Sequence, residues 1–70
     1  MDYTIEFGLD VISKKGLVSR KNGHIDITTD ATIEDLQRED NRKTIMDMIY
    51  LDVKPKLKQK IFNIEIIKIS

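Results

Sequence analysis

The stretch YTIEFGLDV, residues 3–11, puts Tyr3, Ile5, Phe7, Leu9 and Val11 at every odd position, with Thr4, Glu6, Gly8 and Asp10 between them. Side chains of a strand alternate across the sheet, so a period of two makes this a strand with one apolar and one polar face. Ser13 to Gly16 then reads as a turn, and Leu17 to Lys21 as a short strand leading into Asn22-Gly23. Both residues of that dipeptide tolerate the positive φ of a type I′ turn, which predicts a hairpin there. Ile25 and Ile27, alternating with Asp26 and Thr28, form a third strand. The first thirty residues thus predict an antiparallel meander.

From Thr32 the pattern changes. Thr32 followed by Asp35 resembles a capping box, and Glu34 and Asp35 sit where a helix N-terminus favours negative charge. Ile33 and Leu36 share a face, but at 3.6 residues per turn that face next presents Asp40 and Thr44. A break near Glu39 to Asn41 is expected, with Asp40 or Asn41 capping a second helix. The segment IMDMIYLDV, residues 45–53, is apolar at seven of its nine positions. A strand is one reading of the run; the methionines and the approach from a helix favour the other, a helix apolar around most of its circumference, more than one small sheet can cover. Pro55 ends it, because the residue before proline is pushed away from helical backbone.

After the connector KPKLKQK, residues 54–60, the C-terminal segment is rich in β-branched residues and reads as a strand. Phe62, Ile64 and Ile66 alternate, then Ile67 and Ile69 take the opposite parity. A bulge at Ile66-Ile67, or a strand buried on both faces, satisfies that switch. The segments together predict one α+β domain over residues 1–70, in the order β-β-β-α-(α)-β. A small antiparallel sheet of about four strands packs on one kinked or two short helices, with the last strand beside the first. Its expected core is Tyr3, Ile5, Phe7, Leu9, Val11, Ile25, Ile27, Ile33, Leu36, Ile45, Ile49, Phe62, Ile64 and Ile66. The run IDITTDATIEDL, residues 25–36, resembles the strand and helix entry of ubiquitin-like β-grasp domains. The resemblance implies a helix facing the sheet and no particular function.

A chain of 70 residues is one domain at most, and burial of only about 60% of its unfolded surface leaves stability small. Cysteine is absent, which removes disulfides as reinforcement, and a partner or self-association remains available. Twelve acids and twelve bases cancel, so there is no global attraction to nucleic acid or to an anionic membrane. No secretory leader is visible after Met1, and the apolar runs are too short to span a bilayer, which predicts a cytoplasmic protein without a membrane partner. Twelve isoleucines and nine lysines against three arginines and one alanine fit the coding habit of an AT-rich genome, such as a low-GC bacterium or its phage.

Catalysis finds little support in this composition. There is no cysteine nucleophile and no Gly-rich phosphate loop, and the single histidine, His24, follows the expected hairpin glycine, where side chains are solvated. Adjacent acids such as Glu34-Asp35 and Glu39-Asp40 point about 100° apart on a helix and do not converge on an ion. No enzyme, cofactor or metal site is expected. Between Asp26 and Asp40 six acids face one arginine, so Glu34, Asp35, Glu39 and Asp40 offer a surface to a basic partner, or imitate the phosphate row of DNA. The plain alternative is a solvated helix face. Met46, Met48 and Tyr50 belong to the apolar run that needs company. A non-enzymatic interaction domain of adaptor or inhibitor type follows, docking on a protein or forming a homo-oligomer. A structural subunit of a larger assembly shares every one of these features.

The competing expectation is an accessory nucleic-acid binder. Lys14, Lys15, Arg20 and Lys21 flank the first turn, and Lys54, Lys56, Lys58 and Lys60 alternate before the last strand. An extended chain would present those four on one side, a row suited to phosphates. Lysines on an exposed strand also serve simply to discourage edge-to-edge aggregation.

Overall fold

The alternation in residues 3–11 builds the central strand of the sheet. The computed structural model describes residues 1–70, with β1 at Asp2–Ile12, β2 at Val18–Thr28, α1 at Ile33–Leu36, α2 at Glu39–Val53 and β3 at Lys60–Ile69. A 3₁₀ turn at Lys54–Lys56 carries Pro55 and separates α2 from β3. The sheet has three antiparallel strands in the order β2-β1-β3, so β1 is paired on both sides and the C-terminal strand does lie beside it. Tyr3, Ile5, Phe7, Leu9 and Val11 are all buried.

The predicted fourth strand is absent because Asn22-Gly23 is not a turn. The chain reverses at Ser13–Leu17, where Gly16 takes φ 83°, its amide donates to the Ser13 carbonyl at 2.9 Å, and the Ser13 amide donates to the Leu17 carbonyl at 3.0 Å. A glycine in the left-handed region closing a short hairpin loop is the expected chemistry there. From Ile12 opposite Val18, the register then runs without a slip to Asp2 opposite Thr28. A second reversal at Asn22-Gly23 would break that ladder in the middle. Gly23 instead sits opposite Phe7, and a Cβ placed on it would lie 2.9 Å from the Phe7 ring. The glycine makes room for an aromatic side chain that would otherwise have no slot.

That geometry sets the sign of a substitution. Strand propensity alone favours Gly23→Val. Because the Phe7 ring is buried and cannot swing aside freely, Gly23→Val is expected to destabilise the fold by about 1–3 kcal/mol. Urea unfolding checks it, and a stabilised variant would refute the contact.

The helical segment breaks slightly earlier than its pattern predicts. The capping box at Thr32 and Asp35 is present, with the Asp35 amide donating to Thr32 Oγ1 at 3.2 Å and the Thr32 amide to Asp35 Oδ2 at 3.3 Å. α1 lasts one turn. The break falls at Gln37-Arg38, and Arg38 starts α2 without a side-chain cap. Asn41 does not cap; its side-chain amide donates to the Asp35 carbonyl at 2.7 Å and ties α2 back to α1. Loss of the Thr32 hydroxyl in Thr32→Ala is expected to cost about 1 kcal/mol, measurable as a lower urea midpoint with unchanged slope.

In β3 the ladder slips twice against β1, between Glu6 and Phe7 and between Asp10 and Val11. The first slip is the bulge expected at Ile66-Ile67. The second leaves Phe62 without a partner residue, so the side chains that pack on the core are Ile61, Ile64, Ile66 and Ile69. This corrects the expected core: Phe62 is 54% exposed, and Ile69 takes its place as a buried residue. Ile33, at 39%, is also outside the core, because the single turn of α1 turns only Leu36 inward.

α2 is held on the sheet by Ile45 and Ile49, one turn apart and buried. Each contributes about 1.5–3 kcal/mol by leaving water, more than any cap. The result is a slab measuring 42 × 20 × 16 Å, one sheet deep and one helix deep. Its surface of 5162 Å² exceeds the roughly 4,500 Å² that scaling gives a compact chain of this length. Nothing covers the far side of α2.

Candidate interaction surfaces

The polar face of the sheet is bonded to itself. Thr28 Oγ1 donates to Asp2 Oδ1 at 2.7 Å, Thr4 Oγ1 to Asp26 Oδ1 at 2.9 Å, and Asn63 Nδ2 to Asp10 Oδ2 at 2.9 Å. Arg20 reaches over Gly8 to Asp10 and Glu65, joining all three strands in one network. Its pKa is raised above the ordinary value, chiefly by the Glu65 hydrogen bond and then, against some desolvation, by the charge of Asp10. A side chain at position 8 would displace the guanidinium, which is flexible enough to move away. His24 lies in β2 opposite Glu6, exposed and in a strand rather than a turn.

The outer face of α2 is different. Taking the direction of Ile45 and Ile49 as inward, Leu51 emerges on the far side of the helix and Met48 on the flank next to it. Met48 is 44% and Leu51 71% exposed. Asp40 and Asp47 lie on this outer half together with Lys43, and Asp47 is one turn before Leu51, whereas Asp52, seven residues after Ile45, falls towards the inward side. Met46 and Tyr50 lie on the flank, half-buried, and line an open groove with Ile61, Phe62 and Ile64 of β3. Of the expected apolar partner-binding residues, Met48 is therefore exposed on one flank, and Met46 and Tyr50 are half-buried on the other. Leu51 was missed. With most of the run apolar, the sequence does not say which residue points out until Ile45 and Ile49 fix the inward side.

The acidic residues near the start of α2 divide by role. Asp35 is engaged in the capping box, and Asp40 is 3.6 Å from Arg38 in a pair so exposed that it contributes little. Glu34 and Glu39 are exposed and carry no ion pair. These residues and the β1 start lie at one end of the slab, where the Thr29 amide donates to the Met1 carbonyl and Tyr3 Oη to the Ala31 carbonyl.

The other end is basic. The β1–β2 turn and the α2–β3 connector meet there, so Lys14 comes together with Lys54, Lys58 and Lys60 around an open groove of about 600 Å³. Tyr50 and Leu57 also line it, and the Lys54 ammonium stands 5.3 Å from the centre of the Tyr50 ring. The expected single row is not formed. Lys54 and Lys56 lie in the 3₁₀ turn, only Lys60 begins β3, and Lys56 turns back to Asp52 at 3.5 Å. Arg20 is occupied in the sheet network, and Lys21 sits in the body of β2 opposite Leu9.

No group of three or more histidine or carboxylate side chains is placed to hold a metal ion, and no helix is long and apolar enough to cross a membrane. No protein-family model, curated protein or solved structure matches the chain.

Proposed function

We propose that the protein is a small non-enzymatic interaction domain that docks on a protein partner, or on a second copy of itself, through the outer face of α2. The observation that carries this reading is the exposure of Leu51, on the face turned away from the core, next to Met48 on the adjoining flank. A leucine left mostly in water beside a half-exposed methionine gains little in the isolated chain, whereas burial against a partner removes both from solvent. Asp47, one turn before Leu51 on the outer half, favours a partner whose apolar groove is bordered by a basic residue. An adaptor or an inhibitor acts in this way, by covering a surface rather than by chemistry.

Affinity capture from a lysate of the organism that encodes the chain tests the reading. Wild type is compared with Met48→Lys/Leu51→Lys and with a variant in which Glu39, Asp40 and Asp47 are made neutral. The apolar variant is expected to lose the retained protein while keeping its fold. The neutral variant is expected to bind more weakly at low salt. Retention unchanged in both would dispose of the docking face. Sedimentation at high concentration separates the two occupants: a monomer removes self-association and leaves the foreign partner.

A further inference from the structure

The basic groove at the hairpin end is independent of the α2 face. Its lysines come from two segments far apart in the chain, Lys14 from the β1–β2 turn and Lys54, Lys58 and Lys60 from the α2–β3 connector. No carboxylate lines it, and none of the four lysines has an acidic partner within ion-pair distance, whereas Arg20, Arg38 and Lys56 each do. Four like charges gathered around one concavity repel one another, and nothing in the fold neutralises them. The groove is also not purely polar: Ile12, Tyr50, Leu57 and Ile61 line it and are half-buried, while the lysines are exposed.

We propose that this groove binds the backbone of a single-stranded nucleic acid, with phosphates on the lysines and an unstacked base against the apolar lining. Lysine ammoniums are mobile point charges that suit phosphates without fixed geometry, and the groove contains no arginine fork of the kind that grips carboxylates. That favours phosphate over an acidic polypeptide. A duplex keeps its bases stacked inside and reaches only the lysines, whereas a single strand can also use Tyr50 and Leu57. Gln59 and Ser13 are the groove's other polar residues, and neither is set to read a base edge in two contacts, so binding is independent of sequence.

The test is fluorescence anisotropy of the full chain with a labelled single-stranded oligonucleotide of about a dozen nucleotides, titrated at several salt concentrations. Four neutralised phosphates predict a slope of log affinity on log salt of about −3, from about −0.7 per contact on a single strand. Lys58→Glu/Lys60→Glu is expected to weaken binding at least tenfold and to remove about half of that slope. Lys14→Glu, on the other segment, is expected to weaken it too, and Lys68→Glu, distant on β3, to leave it unchanged. All four positions are exposed, and circular dichroism confirms that each variant is folded. Absence of binding at about 20 mM salt, where phosphate contacts are strongest, would overturn the proposal. So would equal loss on Lys68→Glu, equal affinity for the matching duplex, or tighter binding of poly-glutamate than of the oligonucleotide.

Discussion

Ile49→Ala is expected to cost about 3–5 kcal/mol and to leave much of the protein unfolded at room temperature. Ile49 is completely buried at the centre of the contact between α2 and the sheet, and Ile45 is the only other fully inward residue of that helix. Truncation removes the transfer free energy of the deleted carbons. It also leaves a cavity between two rigid elements that cannot easily close on it. A domain of this length has about 4–10 kcal/mol of stability in total, so the loss is comparable with the whole. The contrast with Leu51→Ala sharpens the expectation: Leu51 is two residues away on the same helix, yet its side chain is in solvent, and its truncation is expected to shift stability by no more than about 0.5 kcal/mol. Thermal melts of both variants check the pair. Equal effects would mean that α2 is rotated from the orientation described.

Much of this architecture can be read from the chain because local pattern and tertiary environment agree. The alternation of residues 3–11 corresponds to a strand paired on both sides, and the parity switch at Ile66-Ile67 corresponds to a bulge. Asn22-Gly23 misleads for a definite reason. Local turn preference is a matter of a kilocalorie or so, and the continuous ladder from Asp2–Thr28 to Ile12–Val18 outweighs it, while Phe7 gives the glycine another use. The basic groove is invisible in sequence because its two halves lie some forty residues apart, and only the antiparallel topology brings Lys14 to Lys58 and Lys60. Leu51 is hidden differently. In a run that is apolar nearly all round, inside and outside are decided by where the sheet is.

The second large effect concerns Leu51 and Met48 together. Central apolar anchors of an interface commonly lose 2 kcal/mol or more on truncation, and a charge placed in a desolvated centre costs further. Met48→Lys/Leu51→Lys is therefore expected to weaken binding to the partner at least about a hundredfold, from a 2.8 kcal/mol loss at 1.4 per tenfold. The thermal midpoint should stay close to wild type, because both side chains lie outside the core. A variant that binds poorly because it is unfolded would show both changes at once, and the melt distinguishes the cases.

A photo-crosslinking residue at position 51, with the same residue at the exposed Lys68 on the polar face of the sheet as control, asks directly what covers the far side of α2 in the cell. The docking account predicts a covalent product from position 51, with a second polypeptide or a second copy of the chain, and little or none from position 68. A position 51 that yields only the uncrosslinked chain, in cells where the protein is folded, would contradict it.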